Sequence, residues 1–245
     1  MTTTVTICAY DRPDYLLQVL ESLHAAMELC PEFQINRILL GIDHGGMDNE
    51  VLVQDSRVLE VIRWPQHLGV SEHPRRLLQH VFMELRSDFN LHLEDDTVLA
   101  PDALRLVEWF RSLMPDPAHI LSLHSHVLPL HPDDPHTEVW RPDPALVKPR
   151  DTFGVWGWAT TAYVARRYIL PWWNHRREEP IGWDWSLTDT VRRHGLKVLS
   201  PALSRVRNIG RDGGVHATPE TWDADHKDEL CANDSDMRQI GDFHL

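Results

Sequence analysis

The sequence predicts an α/β protein: a sheet with helices packed on both faces. Three observations lead there. Short apolar runs alternate with helix-period segments from residue 5 to residue 125. Several of the runs end in polar or acidic residues, the pattern of strands whose carboxyl ends form a site. Apolar residues are 42% and charged residues 25% of the 245, an ordinary globular composition that excludes wholesale disorder.

The elements follow in order. Residues 5–9 read as a buried strand, and the next segment has helical period, with Leu16, Leu17, Leu20, Leu23 and Met27 on one face. Asp11 is the expected N-cap of that helix, with Pro13 in its first turn. Residues 37–43 are a second strand ending at Asp43, and 57–63 a third. A helix opened by proline is expected over 74–85, a strand over 89–94, a helix over 101–113 and a strand over 119–125. The second half differs: 129–151 is proline-rich and reads as irregular, 156–160 as a strand, and 185–194 as a helix with Gly195 as its C-cap. From Gly210 onward the chain is polar.

No apolar run approaches the roughly 18–20 residues a membrane span needs. The start, MTTTVTICAYDRPD, has neither the basic region nor the apolar length of a signal peptide. Cys8, Cys30 and Cys231 are too few to staple a chain of this size and stand at no metal-ligand spacing. A cytoplasmic, reducing setting without a membrane partner is expected. The net charge of −13 excludes a generic nucleic-acid binder. The charge is uneven, however: residues 141–211 carry 13 basic and 6 acidic groups. Eleven of those basic groups are arginines, interleaved with tryptophans that include Trp140, Trp156, Trp158, Trp172, Trp173, Trp183 and Trp185.

The chemistry-bearing residues sit at the expected strand ends. Glu94-Asp95-Asp96 follows an apolar strand, where carboxylates can hold Mn²⁺ or Mg²⁺ against ligand phosphates; alone, such a triplet reads equally as a solvated acidic loop or a helix cap. Arg12 could hold a pyrophosphate or base, Asp43 a uracil or ribose, and His73 a phosphate or base, although each taken singly has a plain structural reading. Asp184, in Gly182-Trp183-Asp184-Trp185, is either an N-cap or a general base between aromatic rings. Trp156, Trp158, Trp183 and Trp185 could stack on sugars or bases, with bulky core as the alternative for some. P-loop, GxSxG and GxGxxG motifs are absent, which disfavours P-loop NTPases, serine hydrolases and standard dinucleotide enzymes.

In this order the motifs resemble those of GT-A-fold nucleotide-sugar glycosyltransferases, most closely the β-1,2-N-acetylglucosaminyltransferases of protein glycans. The turn Ala9-Tyr10-Asp11-Arg12, the helix start His73-Pro74-Arg75, the triplet Glu94-Asp95-Asp96, the Gly182-Trp183-Asp184-Trp185 segment and Ser204 to Gly210 all have counterparts there, over roughly residues 5–218. The resemblance implies a GT-A (Rossmann-like) mixed sheet in one domain, 1–245. Residues 1–113 would form the nucleotide-sugar and metal half, and 114–245 the acceptor half and closing loop. It implies nucleotide contacts by Arg12, Asp43 and His73, a Mn²⁺ or Mg²⁺ ion on Asp96, and Asp184 as catalytic base. Asp95 joins the donor site, and His216, near Gly213 and Gly214 in the closing loop, is a candidate second metal ligand. The base motif here has one Asp fewer than the family's. The function expected is metal-dependent inverting transfer of a hexosyl or N-acetylhexosaminyl group from a sugar nucleotide, with UDP as the expected nucleotide, to an acceptor hydroxyl. The arginine and tryptophan content suggests a nucleic-acid acceptor, with a hydroxymethylated DNA base as the specific candidate. The alternatives are transfer to a saccharide and a carbohydrate-binding protein without turnover. A nucleotidyltransferase is disfavoured, because no glycine-rich loop follows the first strand.

Overall fold

The computed structural model describes residues 1–46, 60–113, 119–125, 143–173, 182–212, 218–226, 230–232 and 243–245. Among these residues eight strands form one mixed sheet: β1 (Thr3–Ala9), β2 (Arg37–Ile42), β3 (Glu60–Arg63), β4 (Phe89–Glu94), β6 (His119–Ser122), β7 (Val147–Arg150), β8 (Trp158–Thr161) and β9 (Lys197–Pro201). Their order is β3-β2-β1-β4-β8-β6-β9-β7. The first four are parallel; β8 runs antiparallel between β4 and β6. A separate two-stranded ribbon pairs β5 (Thr97–Leu99) with β10 (Val206–Asn208). The expected α/β sheet with helices on both faces is therefore the architecture observed.

Strand alternation sorts the two layers. Val5, Ile7 and Ala9 of β1, with Leu91 and Leu93 of β4, face α1 (Pro13–Leu29) and α3 (Ala103–Ser112). On the other face Leu39 and Trp158 pack with α2 (Gly69–Gln79), the π-helical turn His80–Glu84 that continues it, and α6 (Trp183–His194). A short helical stretch completes that layer: α4 (Ala162–Val164), a π-helical turn Ala165–Ile169, and α5 (Leu170–Trp172). Helix α7 (Pro219–His226) follows the ribbon.

Several boundaries differ from expectation for identifiable reasons. Arg12, not Asp11, occupies the N-cap position of α1, and no side chain caps it. Val19 and Ala26 join Leu16, Leu20 and Leu23 on the buried face, while Leu17 is 49% exposed, because a residue one step beyond Leu16 turns about 100° away. Helix α2 begins at Gly69, a turn before Pro74, because Asp43 holds its first backbone N–H groups. Residues 147–150, expected to be irregular, form the edge strand β7, where Pro149 is tolerated at the rim of the sheet. The C-cap at Gly195 is observed, with φ 66°.

Candidate functional site

The chain direction of the sheet reverses its lateral order at β1 and β4, and both strands end at the same edge. Ligands of open α/β sheets bind at such a point. Here it brings Tyr10, Arg12, Glu94, Asp95 and Asp96 together.

Arg12 spans the acidic pair. Its Nη2 bonds to Asp95 Oδ1, and its Nη1 lies 2.8 Å from Asp96 Oδ2. The Tyr10 backbone N–H donates to the other Asp95 oxygen at 3.2 Å. Burial pushes the Asp95 carboxyl up to about 6, with Arg12 pulling it back and Asp96 raising it further. Burial likewise raises Asp96, against the Arg12 charge. Burial alone would lower Arg12, but Asp96 and Asp95 together raise it. Glu94 is driven well above the usual carboxylate range, first by burial, then by Asp96 and Asp95. Asp184 adds to that repulsion, so the start of α6 lies within electrostatic reach of the end of β4.

The β5–β10 ribbon closes one side. The Ile209 N–H donates to the Asp96 carbonyl at 2.8 Å, and Gly210 packs directly on the ion pair. A Cβ at Gly210 would overlap Asp96 Oδ2 and stand 2.9 Å from Arg12 Nη1, so any larger residue must push the ion pair aside. Asn208 Oδ1 accepts from the Gly210 N–H at 2.8 Å and from Trp222 Nε1 at 3.1 Å, tying α7 to the same corner. The family resemblance pointed to Ser204–Gly210 as a motif; the close approach of Gly210 and the anchoring by Asn208 were not visible in it.

Asp96 Oδ1 is buried and makes no hydrogen bond within the distance limit among the described residues, although the nearby Asn208 side chain helps to lower the acid. Among the described residues no three His, Cys, Asp or Glu side chains are arranged to enclose a metal. A hard cation that takes most of its ligands from diphosphate and water needs few protein oxygens, and the bare Asp96 oxygen fits such an ion. His216, Gly213 and Gly214 lie outside the described residues.

Other expected site residues are placed differently. Asp43 is saturated: its oxygens accept from the backbone N–H groups of His44, Leu68 and Gly69 at 2.8, 2.8 and 2.7 Å, and His67 Nδ1 stands 3.0 Å away. Its carboxylate holds the start of α2, and a nucleotide would have to displace one of these donors. His73 does not open a helix. It lies within α2, buried against β2, where a Cβ on Gly41 would be 2.8 Å from its Nε2. Burial lowers it to about 4, offset in part by Asp43, which leaves a neutral ring at physiological pH.

Trp158 corrects the stacking expectation outright. It is 0% exposed, wedged between His92 and Phe153, because the alternation of β8 points it into the core. Trp183 is also buried, stacked on Trp173 with centroids 4.5 Å apart. Trp156 is half-buried, edge-on to His124 at 4.7 Å. Trp185 is 58% exposed and remains available. Asp184 is not the helix cap: Gly182 occupies that position, and the Asp184 carboxylate folds back where a Gly182 Cβ would collide with it.

No protein-family model matches this sequence. Solved structures do resemble it. S. aureus TarS 1–349 in complex with UDP-GlcNAc superposes with TM-score 0.58 at 11% identity, over 87% of this chain and 60% of that one. TarS 1–349 alone gives 0.55 at 11%, over 84% and 60%. A longer TarS structure gives 0.55 at 12%, over 83% of this chain and 35% of that one. The fold is GT-A-like. At such identities the likeness is one of architecture, and this chain spans about 60% of the length of the TarS 1–349 structures. No helix among the described residues is long and apolar enough to cross a membrane.

Proposed function

We propose that this chain is a metal-dependent inverting glycosyltransferase that moves a hexosyl or N-acetylhexosaminyl group from a UDP-sugar to an acceptor hydroxyl. One observation carries the reading. The β1–β4 switch point holds a buried carboxylate, Asp96, with one oxygen that makes no hydrogen bond among the described residues, beside an arginine, Arg12, and Glu94 of the same cluster lies within electrostatic reach of a separate, partly exposed carboxylate, Asp184. That arrangement supports reading Arg12 and Asp96 as the charge for a diphosphate and Asp184 as the base for a hydroxyl. The UDP-GlcNAc bound to its structural neighbour TarS supports the choice of donor.

Asp96 would hold Mn²⁺ or Mg²⁺, with His216 as a second ligand; when bound, such an ion supplies positive charge and Lewis acidity to the diphosphate. Arg12 fixes a positive charge at the same strand ends, and Asp95 orients it. Asp184 takes the proton of the acceptor hydroxyl as its oxygen bonds to the anomeric carbon and the bond to the diphosphate breaks. A single displacement of this kind inverts the anomeric centre and needs no covalent enzyme intermediate.

The test is a panel of sugar nucleotides, each with and without Mn²⁺, monitored for release of nucleoside diphosphate. Release of UDP that requires the ion is expected. Saturable sugar-nucleotide binding with no release from any donor would leave a binding protein and overturn the assignment.

A further inference from the structure

The second half carries a surface that the transfer site does not use. On the outside of the α4–α5 stretch and the last turn of α6, four rings touch in sequence. Tyr163 meets Tyr168 at 6.1 Å between centroids, Tyr168 meets His194 at 5.1 Å, and His194 meets Trp172 at 5.4 Å. Arg167 lies over Tyr168 at 5.8 Å and Arg193 over Trp172 at 5.0 Å. Tyr163, Arg167, Arg193, His194 and Lys197 are exposed.

The charge is mostly positive, although Asp189 stands one turn before Arg193 on α6. Residues 162–173 and 192–197 contain four arginines and a lysine but no Asp or Glu, in a chain of net charge −13. Arg166 is engaged by the Phe82 carbonyl, and Arg192 stands 3.3 Å from Asp151. Among the described residues Arg167, Arg193 and Lys197 have no carboxylate partner. Cations set among rings match one chemistry in particular, phosphates alternating with flat bases.

The surface is also in line with the proposed base. Trp185, Arg192 and Arg193 stand at i, i+7 and i+8 on the exposed side of α6, whose first turn holds Asp184. The ten residues from Asp184 to His194 span roughly 15 Å of helix.

We propose that this ring-and-arginine face docks a nucleic-acid strand and thereby presents the acceptor to Asp184. The proposal rests on the transferase reading only for its last clause; the docking itself stands on the surface.

The experiment measures binding of a fluorescent oligothymidylate by anisotropy across a salt series, with inorganic polyphosphate as competitor. Variants Trp172→Leu and the pair Arg167→Glu with Arg193→Glu are compared after circular dichroism confirms their fold. The expected result is saturable binding with a log–log salt slope of about −0.7 per phosphate contacted. Trp172→Leu should weaken it about tenfold through lost stacking, and the double variant by tenfold or more. UDP release without acceptor should be unchanged in all variants. Binding untouched by Trp172→Leu and displaced equally well by polyphosphate would overturn the proposal, leaving a generic anion surface. A protein that releases UDP but ignores the strand would also overturn it, with the transferase reading intact. Trp172-dependent strand binding in a protein that turns over no donor would uphold the docking face and sink the transferase reading.

Discussion

Arg12 joins two neighbouring carboxylates across the end of the sheet: its Nη1 lies 2.8 Å from Asp96 Oδ2 while its Nη2 bonds to Asp95. Both acids are buried, so the guanidinium is the charge that lets them coexist. Arg12→Gln should lower stability by about 3 kcal/mol, the lower end for breaking a buried pair, since Arg12 itself is part-exposed. Urea denaturation measures this. With Asp96 as a metal ligand, Mn²⁺ should raise the Tm of Arg12→Gln more than that of the wild type; an equal response would take Asp96 out of the metal site.

Gly210 presses on the same pair. Gly210→Ala places a methyl group onto Asp96 Oδ2 and Arg12 Nη1, so these groups must shift. Expected are a loss of 1–3 kcal/mol from overpacking and a fall in UDP affinity of tenfold or more, read by calorimetric titration. Unaltered UDP affinity would show that this corner does not face the donor.

Asp184→Asn is expected to keep the fold and sugar-nucleotide binding but lose transfer by roughly 10²-fold, the scale of a positioned base. Because Gly182 is the cap residue, helix stability should hardly change. Retained transfer would place the base elsewhere.

Arg205 is structural in this fold. Its Nε contacts Asp102 Oδ1 at 2.9 Å, and its other nitrogens bond the Leu203 and Pro144 carbonyls at 2.6 Å each. Arg205→Met leaves Asp102 buried without its counter-ion and should cost about 3–5 kcal/mol. Chemical denaturation checks it.

His92 sets a pH response. Burial lowers it to about 3, and its Nδ1 stands 2.9 Å from Thr6 Oγ1 in the core. The folded ring refuses the proton that the unfolded chain accepts below about pH 6.5, so stability from this group is full above that pH and is lost on acidification toward pH 3. His92→Asn should flatten the loss of stability between pH 6 and 4, compared by denaturation at each pH; an unchanged slope would assign the acid response to other groups.

The sequence by itself determined the layered α/β plan, because apolar alternation in β1, β2 and β4 and the helical period of α1 are local patterns with one packing solution. It also marked the acidic triplet and Arg12, since residues just past a strand's end are carried to the same sheet edge whatever the rest does. Only the tertiary structure decided which tryptophans meet solvent: Trp158 and Trp185 look alike in the chain, yet strand alternation buries one and the outer side of α6 exposes the other. It alone showed that Asp43 is consumed by the start of α2, because those donors come from 25 and 26 residues away. The pairing of β5 with β10 likewise joins residues more than a hundred positions apart to set Gly210 on Asp96. Local sequence encodes which surface a segment hides; contacts at that range depend on how the whole chain closes, and spacing does not record them.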